Sequence, residues 1–336
     1  MNLYSILRPL LFSLPAEAAH DLSLQSLKLA MHLPGIKGAL GAKHANLPKT
    51  VAGITFRNPV GLAAGLDKNA RFYHELFALG FGFIEIGTVT PRPQAGNAKP
   101  RLFRLPRQKA VINRMGFNND GVAAVAKRLE NRTDDMVIGG NIGKNKDTPN
   151  EQAEKDYVAC FSALNGLVDY FVINLSSPNT PGLRELQNKE GLQRILGAVQ
   201  DENHRQPGQR PVFLKIAPDL TNEQLDEIVE IALKNKLDGL VATNTTIERD
   251  GLEPDRVAAI GEGGMSGAPL TNKSTAVLNK LRERSQGKLA LIGSGGVMTA
   301  QDAMNKFSSG ADLVQLYTGF VFSGPGLIGE ILDRIR

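Results

Sequence analysis

Amide side chains are the first feature of this sequence that could do chemistry. Asparagines occur in predicted strand-end or active-face loops, at Asn113, Asn141, Asn174, Asn179 and Asn244. An amide offers hydrogen-bond donors and acceptors without a charge. Several converging amides suit a flat, polar heterocycle that carries carbonyl and N–H groups, although each asparagine alone is typical of a turn or a cap.

A lysine and a group of glycines extend this pattern. Lys215 lies at the end of an apolar strand, where a buried ammonium must be paired or functional. It could form a Schiff base, supply a fixed positive charge beside a cofactor, or make a structural salt bridge, and the spacing does not choose among them. Gly293 ends the seventh predicted strand, and Gly295 and Gly296 follow it. Their backbone N–H groups favour a phosphate site over a simple tight turn.

Hydrolytic and metal chemistry find no support in the sequence. No histidine falls at a predicted strand end, the five being His20, His32, His44, His74 and His204. Ser177 has no neighbouring histidine, which disfavours a Ser-His-Asp hydrolase, and taken alone it is more typical of a structural serine. Cys160 is the single cysteine, so an intrachain disulfide and a cysteine zinc site are excluded, and a reducing cytoplasm is expected. We predict no metal.

The elements that must position these residues alternate along the chain after residue 50. Apolar runs predict strands at 60–65, 83–89, 137–142, 170–176, 212–216, 239–243, 289–293 and 313–317. Helical patterns occur at 71–79, 120–131, 151–166, 191–202, 222–236, 272–285, 300–308 and 327–335. The alternation predicts an α/β fold, a (β/α)8 TIM barrel, because parallel strands buried on both faces are continuous apolar runs. A doubly wound open sheet is the main alternative, and residues 51–60 predict a small hairpin.

The first 45 residues predict an N-terminal helical extension. Apolar residues recur there at helical spacing, at Leu3, Ile6, Leu7, Leu10, Leu11 and Leu14, and again at Ala19, Leu22, Leu27, Ala30 and Met31. Pro15 separates the two predicted helices, and Pro34, Gly35 and Gly38 end the second. The apolar faces either pack on the main domain or lie in a membrane surface, where Arg8, Lys28, Lys37 and Lys43 suit anionic lipid. Residues 46–336 then form the barrel domain.

Composition narrows the classes of function. The 336 residues are 42% hydrophobic and 22% charged, as expected for a globular protein with a large core. The net charge is +5, but 39 basic and 34 acidic residues are interleaved, without a basic run that carries aromatic partners. Nucleic-acid binding is therefore not expected. No apolar stretch reaches the roughly 18 residues of a membrane-spanning helix, and no cleavable signal peptide is predicted.

Seven longer segments point to a family. They read Ala-Ala-Gly-Leu-Asp-Lys at 63–68, Ile-Gly-Thr-Val-Thr-Pro-Arg-Pro-Gln at 86–94, Asn-Arg-Met-Gly-Phe-Asn-Asn at 113–119, Asn-Ile-Gly-Lys-Asn at 141–145, Asn-Leu-Ser-Ser-Pro-Asn-Thr-Pro-Gly-Leu at 174–183, Lys-Ile-Ala-Pro-Asp at 215–219 and Thr-Asn-Thr-Thr at 243–246. Together they resemble the class 2, quinone-dependent dihydroorotate dehydrogenases of the bacterial type. The resemblance covers essentially the whole chain. It implies oxidation of dihydroorotate to orotate in pyrimidine (UMP) biosynthesis.

The resemblance also implies an FMN cofactor and assigns residues to it. FMN would contact Ala64, Gly65, Leu66, Asp67, Lys68, Thr88, Asn141, Asn174, Lys215, Thr243, Gly267, Gly296, Tyr317 and Thr318. Its phosphate would lie on the loops at 295–296 and 317–318, and Lys215 would place its charge near the N1–O2 edge of the flavin. The substrate would be held by Lys68, Asn113, Arg114, Met115, Gly116, Phe117, Asn174, Asn179, Asn244 and Thr245. Ser177 would be the base that removes the C5 proton, with Thr180 and Phe117 shaping the route of that proton.

The implied electron acceptor is a membrane quinone, reached through the N-terminal helices. The protein is then expected to be a monomer that contacts lipid peripherally at the cytoplasmic face of the inner membrane. Two other readings of the residues remain. One is a cytosolic FMN-dependent oxidoreductase with another acceptor, and the other is a non-redox phosphate-binding barrel lyase that uses Lys215 as a Schiff-base lysine.

Overall fold

The computed structural model describes residues 3–33, 35–36 and 46–336. Its strands are β1 (Lys49–Val51), β2 (Ile54–Phe56), β3 (Val60–Leu62), β4 (Phe83–Val89), β5 (Leu102–Leu105), β6 (Ala110–Asn113), β7 (Ile138–Ile142), β8 (Tyr170–Asn174), β9 (Val212–Ile216), β10 (Gly239–Ala242), β11 (Gly264–Gly267), β12 (Ala290–Ser294) and β13 (Leu313–Leu316). Eight of them close into a parallel barrel in the order β3, β4, β7, β8, β9, β10, β12, β13. The predicted (β/α)8 barrel is confirmed, and the open doubly wound sheet is excluded.

Aromatic rings fill the barrel interior because glycines on neighbouring strands leave room for them. Gly139 on β7 pairs with Tyr170 on β8, and a Cβ at Gly139 would lie 2.2 Å from the tyrosine ring. Gly61 on β3 faces Phe83 on β4 in the same way, also at 2.2 Å. Close packing of this kind makes the lower half of the barrel a solid core rather than a channel.

A short hairpin covers the N-terminal end of the barrel. Strands β1 and β2 pair antiparallel, and Phe56 is buried with its ring centroid 5.0 Å from that of Phe83. The bounds predicted for this hairpin, 51–60, are wrong. Ala52 and Gly53 form the turn with positive φ angles of 48° and 77°, so the pairing strands lie nearer the N-terminus.

A three-stranded antiparallel sheet, which the sequence analysis did not predict, lies beside the opposite end of the barrel. Strands β5 and β6 form a hairpin, and β11 pairs with β6 so that Gly264 lies opposite Asn113. Its small core contains Ile112 and Met265, both buried. The sheet brings two distant parts of the chain to the C-terminal mouth of the barrel.

Helices surround the barrel and follow the predicted pattern closely. In the described ranges they are α1 (Leu3–Ser13), α2 (Ala16–Ala30), α3 (Tyr73–Ala78), α4 (Val122–Leu129), α5 (Ala153–Leu164), α6 (Lys189–Arg205), α7 (Asn222–Lys234), α8 (Pro254–Ile260), α9 (Thr271–Ser285), α10 (Ala300–Ser308), α11 (Thr318–Ser323) and α12 (Gly326–Ile335). Helices α8 and α11 were not predicted. Capping boxes fix the starts of α7 and α10, where Thr221 and Thr299 accept backbone N–H groups.

Helices α1 and α2 dock on the barrel by one face only. Arg8 donates to the Phe322 carbonyl at 2.9 Å, the Phe12 and Phe322 rings meet at 5.2 Å, and Leu24 is buried in the main core. The other face exposes Ile6, Leu7, Leu10, Leu22 and Leu29, and Leu33, which follows the end of α2, is exposed as well. Pro34, Lys37, Gly38 and Lys43 lie outside the described residues. No helix within the described ranges has the length and apolarity to cross a bilayer.

Candidate active site

One pocket lies at the C-terminal ends of the barrel strands, with open space of about 1000 Å³ that includes its mouth. It is lined by Ala63, Ala64, Gly65, Lys68, Thr88, Asn113, Met115, Gly116, Phe117, Asn174, Ser177, Asn179, Lys215, Thr243, Asn244, Thr245, Ser266, Gly267, Leu270, Ser294, Gly295, Gly296, Val297, Gln315, Tyr317, Thr318 and Gly319. Two lysines are in this lining and no carboxylate is. Such a pocket favours anionic ligands.

A network of amides and one hydroxyl forms part of the pocket wall. Asn174 Nδ2 donates to Thr88 Oγ1 at 2.9 Å and to Asn141 Oδ1 at 3.2 Å. Asn244 Nδ2 donates to Asn174 Oδ1 at 3.2 Å, and Asn179 Nδ2 donates to Asn113 Oδ1 at 3.0 Å. Each amide is thus oriented by a neighbour before any ligand binds, which reduces the ordering cost of binding.

A buried carboxylate that the sequence analysis missed lies directly behind this wall. Glu85, on β4, is fully buried, and its Oε1 is 3.8 Å from Lys215 Nζ. Asn141 Nδ2 donates to the same oxygen at 2.8 Å, and Gln315 Nε2 donates to Oε2 at 2.5 Å. The signal was a single acidic residue inside an otherwise apolar buried run.

The glycine loop after β12 is held by side chains of α9. Ser274 Oγ donates to the Gly295 carbonyl at 2.8 Å, and Thr271 Oγ1 donates to the Gly296 carbonyl at 2.7 Å. Both glycines have positive φ, 93° and 73°, which other residues rarely adopt. Thr318, which opens α11, lies on the same side of the pocket. The arrangement suits a phosphate, because the loop carbonyls are already engaged elsewhere.

Ser177 lies in the loop after β8 and is buried. Its Oγ accepts the Asn179 backbone N–H at 3.3 Å. Arg184 fixes this loop, since its Nε donates to the Ser176 carbonyl at 3.1 Å and its Nη2 donates to the Thr245 carbonyl at 3.0 Å. The loops that follow β8 and β10 are therefore held together around the serine.

Lys68 connects the pocket with helix α2. Its Nζ donates to the Gly65 carbonyl at 2.7 Å, and burial followed by the nearby Arg101 guanidinium lowers the pKa of Lys68 to about 8. Burial, and then the charge of Lys68, lowers the pKa of His20 on α2 to about 4. Arg101 forms an ion pair of 2.7 Å with Glu17 on the same helix. Sequence spacing gave no sign of His20 or Arg101, because only tertiary docking brings them here.

Four residues from the predicted sets are absent from the lining. The carboxylate of Asp67 accepts the backbone N–H groups of Arg71 and Phe72, each at 2.8 Å, and so caps the turn behind the strand end. Leu66 is buried in the main core, and Asn141 contacts the pocket through the amide network. Arg114 donates to the Ile260 carbonyl at 2.6 Å and lies over the Phe103 ring. The other residues predicted to contact FMN or substrate line the pocket together with Ser177, whereas Thr180 does not.

Comparison with known sequences gives a consistent family. The family profile described as "Dihydroorotate dehydrogenase" matches residues 46–336. A protein of Christiangramia forsetii named dihydroorotate dehydrogenase (quinone) is 51% identical over 335 residues, covering 98% of either chain. A protein of Stenotrophomonas maltophilia with the same name is 50% identical and covers 99% of this chain and 96% of its own.

Solved structures give the same result for the fold. A DHODH of Eimeria tenella in complex with ferulenol is 40% identical, with a TM-score of 0.86, and the match covers 95% of this chain and 90% of that one. The ligand-free form from the same organism is 39% identical with a TM-score of 0.87. The match covers 95% of this chain and 94% of that one.

We predict that Lys68 loses its charge near pH 8 in the free protein. Below about pH 8 it is an ammonium, and above it a neutral amine, so the positive charge of the pocket falls as pH rises through that value. Removing the neighbouring cation in Arg101→Gln moves the midpoint to higher pH. NMR titration of the Lys68 Cε resonance, assigned by its loss in Lys68→Arg, measures both effects. A midpoint that does not respond to Arg101→Gln would contradict the assignment.

Proposed function

The chain belongs to the dihydroorotate dehydrogenase family, and we propose that it is a quinone-dependent member that oxidises dihydroorotate to orotate using bound FMN. In the complete reaction dihydroorotate gives up a proton and a hydride, and a quinone takes up two electrons and two protons to become a quinol. The pocket lining carries the proposal: Lys68, Lys215 and Ser177 share one mouth with five amides and no carboxylate. Both FMN and dihydroorotate are anions.

The donor set of the pocket fits FMN. The loops at 295–296 and 317–318 would hold the phosphate, and Lys215 would lie against the ring system together with Thr88 and Thr243. Ala64, Gly65, Asn174, Gly267 and Thr318 line the same cavity. Leu66 and Asp67 would support the first loop from behind. When bound, FMN supplies the hydride acceptor that no protein side chain can provide.

The amide side of the pocket is the proposed substrate site. Asn113, Asn174, Asn179 and Asn244 offer neutral donors and acceptors for the ring carbonyl and N–H groups of dihydroorotate. The Lys68 ammonium would pair with the substrate carboxylate, a charge-assisted contact that is stronger than a neutral hydrogen bond. Met115, Gly116, Phe117 and Thr245 would close the site around the ring, while Arg114 would hold this loop from outside.

Ser177 is the proposed base. A serine hydroxyl is a weak base near neutral pH, so the proton taken from substrate C5 must pass onward. Thr180 Oγ1, in the same loop, is buried and has no hydrogen-bond partner in the part of the chain that the structure describes. We assign Thr180 to the relay, with a water bridging the two hydroxyls and Phe117 limiting access to it.

The N-terminal segment is the proposed quinone and membrane site. Exposed leucines on α1 and α2 would rest in the lipid interface, and the quinone would approach the flavin site from this N-terminal side. We accordingly place the protein, as a monomer, at the cytoplasmic face of the inner membrane. Residues 1–45 then act as the membrane segment and 46–336 as the catalytic barrel.

The two other candidate functions fit less well. A lyase that uses Lys215 as a Schiff-base lysine needs a free amine, whereas Lys215 Nζ lies 3.8 Å from the buried Glu85 carboxylate. A cytosolic FMN oxidoreductase with another acceptor does not explain the exposed apolar face of α1 and α2.

Anaerobic absorption spectra of the purified protein test the proposed function. We expect visible flavin bands, bleaching when dihydroorotate is added, and recovery when a quinone follows. A colourless protein, or flavin bands that dihydroorotate leaves unchanged, would contradict the proposal. Succinate, another small carboxylate, serves as the control ligand and should not bleach the flavin.

We predict that Ser177→Ala slows flavin reduction by dihydroorotate at least about 100-fold, the lower range for loss of an acid–base group. FMN content should be unchanged because the hydroxyl does not contact the phosphate loops. Rapid anaerobic mixing measures the rate, and Ser162→Ala, an exposed serine on α5, is the control. An unaltered rate in Ser177→Ala would remove the serine from the mechanism.

Replacing two exposed leucines of the N-terminal helices should weaken membrane binding. Leu10 and Leu29 are 68% and 74% exposed, so the double variant Leu10→Ser/Leu29→Ser should fold normally while losing apolar surface for the lipid interface. We expect less co-sedimentation with anionic lipid vesicles and slower reduction of a long-chain quinone, with flavin reduction unchanged. Leu233→Ser, at an exposed leucine on α7, is the matched control. Equal vesicle binding by the two variants would refute the membrane assignment.

A further inference from the structure

Glu85 is the only carboxylate among the described residues that both lies wholly inside the barrel and contacts a lysine of the pocket lining. Its side chain has no exposed surface, and Lys215 is only 7% exposed. A charge removed from water in this way is costly unless it is paired and hydrogen-bonded. An apolar residue at position 85 would avoid the free-energy cost of burying this charge.

The hydrogen bonds of Glu85 connect it with three different strands of the barrel. Asn141 on β7 donates to Oε1 at 2.8 Å, Gln315 on β13 donates to Oε2 at 2.5 Å, and Lys215 on β9 completes the set. Lys215 and Gln315 line the pocket, whereas Asn141 holds Thr88, which also lines it. One carboxylate thus orients the polar groups on which the proposed flavin would lie.

Two features of this contact suggest an electrostatic role. The Lys215–Glu85 separation of 3.8 Å is longer than the 2.7–2.9 Å of a tight charge-assisted hydrogen bond. The Lys215 ammonium is therefore not bound tightly to Glu85 and can also interact with a group in the pocket. Glu85 also adds to the effect of burial, the larger cause, in raising the pKa of the Tyr170 hydroxyl well above 10.

We propose that Glu85 is a positioning residue that sets the reduction potential of the flavin by offsetting part of the Lys215 charge and fixing Asn141 and Gln315. The inference rests on the proposed flavin site. Flavin gains negative charge on reduction, so positive charge beside it favours reduction and negative charge opposes it. Coulombic effects of this kind are large in a buried, weakly screened site. Glu85 would hold the potential low enough for electrons to pass on to a quinone.

The charge-neutral variant Glu85→Gln tests the sign of this effect. It leaves the Lys215 charge uncompensated, so the midpoint potential should rise. We expect at least a tenfold change in the equilibrium constant for reduction, which is about 30 mV for a two-electron couple. Anaerobic spectrophotometric titration against a reference dye measures it without dihydroorotate. Glu85→Asp keeps the charge and should stay closer to the parent potential.

A matched control and a second variant keep the test decisive. Asp238→Asn makes the same chemical change at the other end of the barrel, where Asp238 caps the start of β9, and should leave the potential unaltered. If Glu85→Gln does not fold, Lys215→Met is compared with the double variant Glu85→Gln/Lys215→Met, which carries no unpaired charge. Lys215→Met should lower the flavin midpoint potential below that of the parent. The double variant should have a higher potential than Lys215→Met.

The possible results separate the two proposals. A parent protein without flavin would remove the proposed function. If the parent binds flavin but Glu85→Gln has the parent potential, the role of Glu85 is overturned and the proposed function stands. The same holds if the double variant and Lys215→Met have the same potential. A rise in potential with unchanged thermal stability would exclude a merely structural role.

Discussion

Closure of eight parallel strands into a barrel is the constraint on which the rest of this structure depends. A closed parallel barrel directs every strand's C-terminal end to one rim, so residues from distant parts of the chain meet there. Lys68, Asn174, Lys215 and Tyr317 come from four different strand ends and line a single pocket. The interior below is filled by side chains, several of them aromatic rings, and this pocket lies at the rim.

Charged residues lie both in the pocket lining at that rim and behind it. The lining carries two lysines, and the buried carboxylate of Glu85 lies 3.8 Å from one of them, Lys215. On the other side, Arg101 and His20 connect the pocket with helix α2. The result is a mouth whose side-chain charges favour anions, with a buried carboxylate behind its wall.

Much of this could be predicted from the sequence, and the failures have physical causes. The barrel strands were recognised because strands buried on both faces are unbroken apolar runs. The sheet of β5, β6 and β11 was missed because its strands are four residues long and β11 pairs with β6 from a distant part of the chain. Glu85 was missed because its partners lie on other strands. The strand-end residues were found because barrel geometry fixes where strand ends go, whereas the docking of α2 against Lys68 depends on tertiary contacts that no local pattern contains.

The proposed function depends on one contact, in which the loops at 295–296 and 317–318 would hold the phosphate of a flavin. Comparing the affinity of flavin-free protein for FMN and for riboflavin, by fluorescence quenching, tests it most directly. Riboflavin has the same ring system but no phosphate. We expect FMN to bind at least about 100-fold more tightly, in keeping with several charge-assisted hydrogen bonds. Equal affinities for the two flavins would contradict the account.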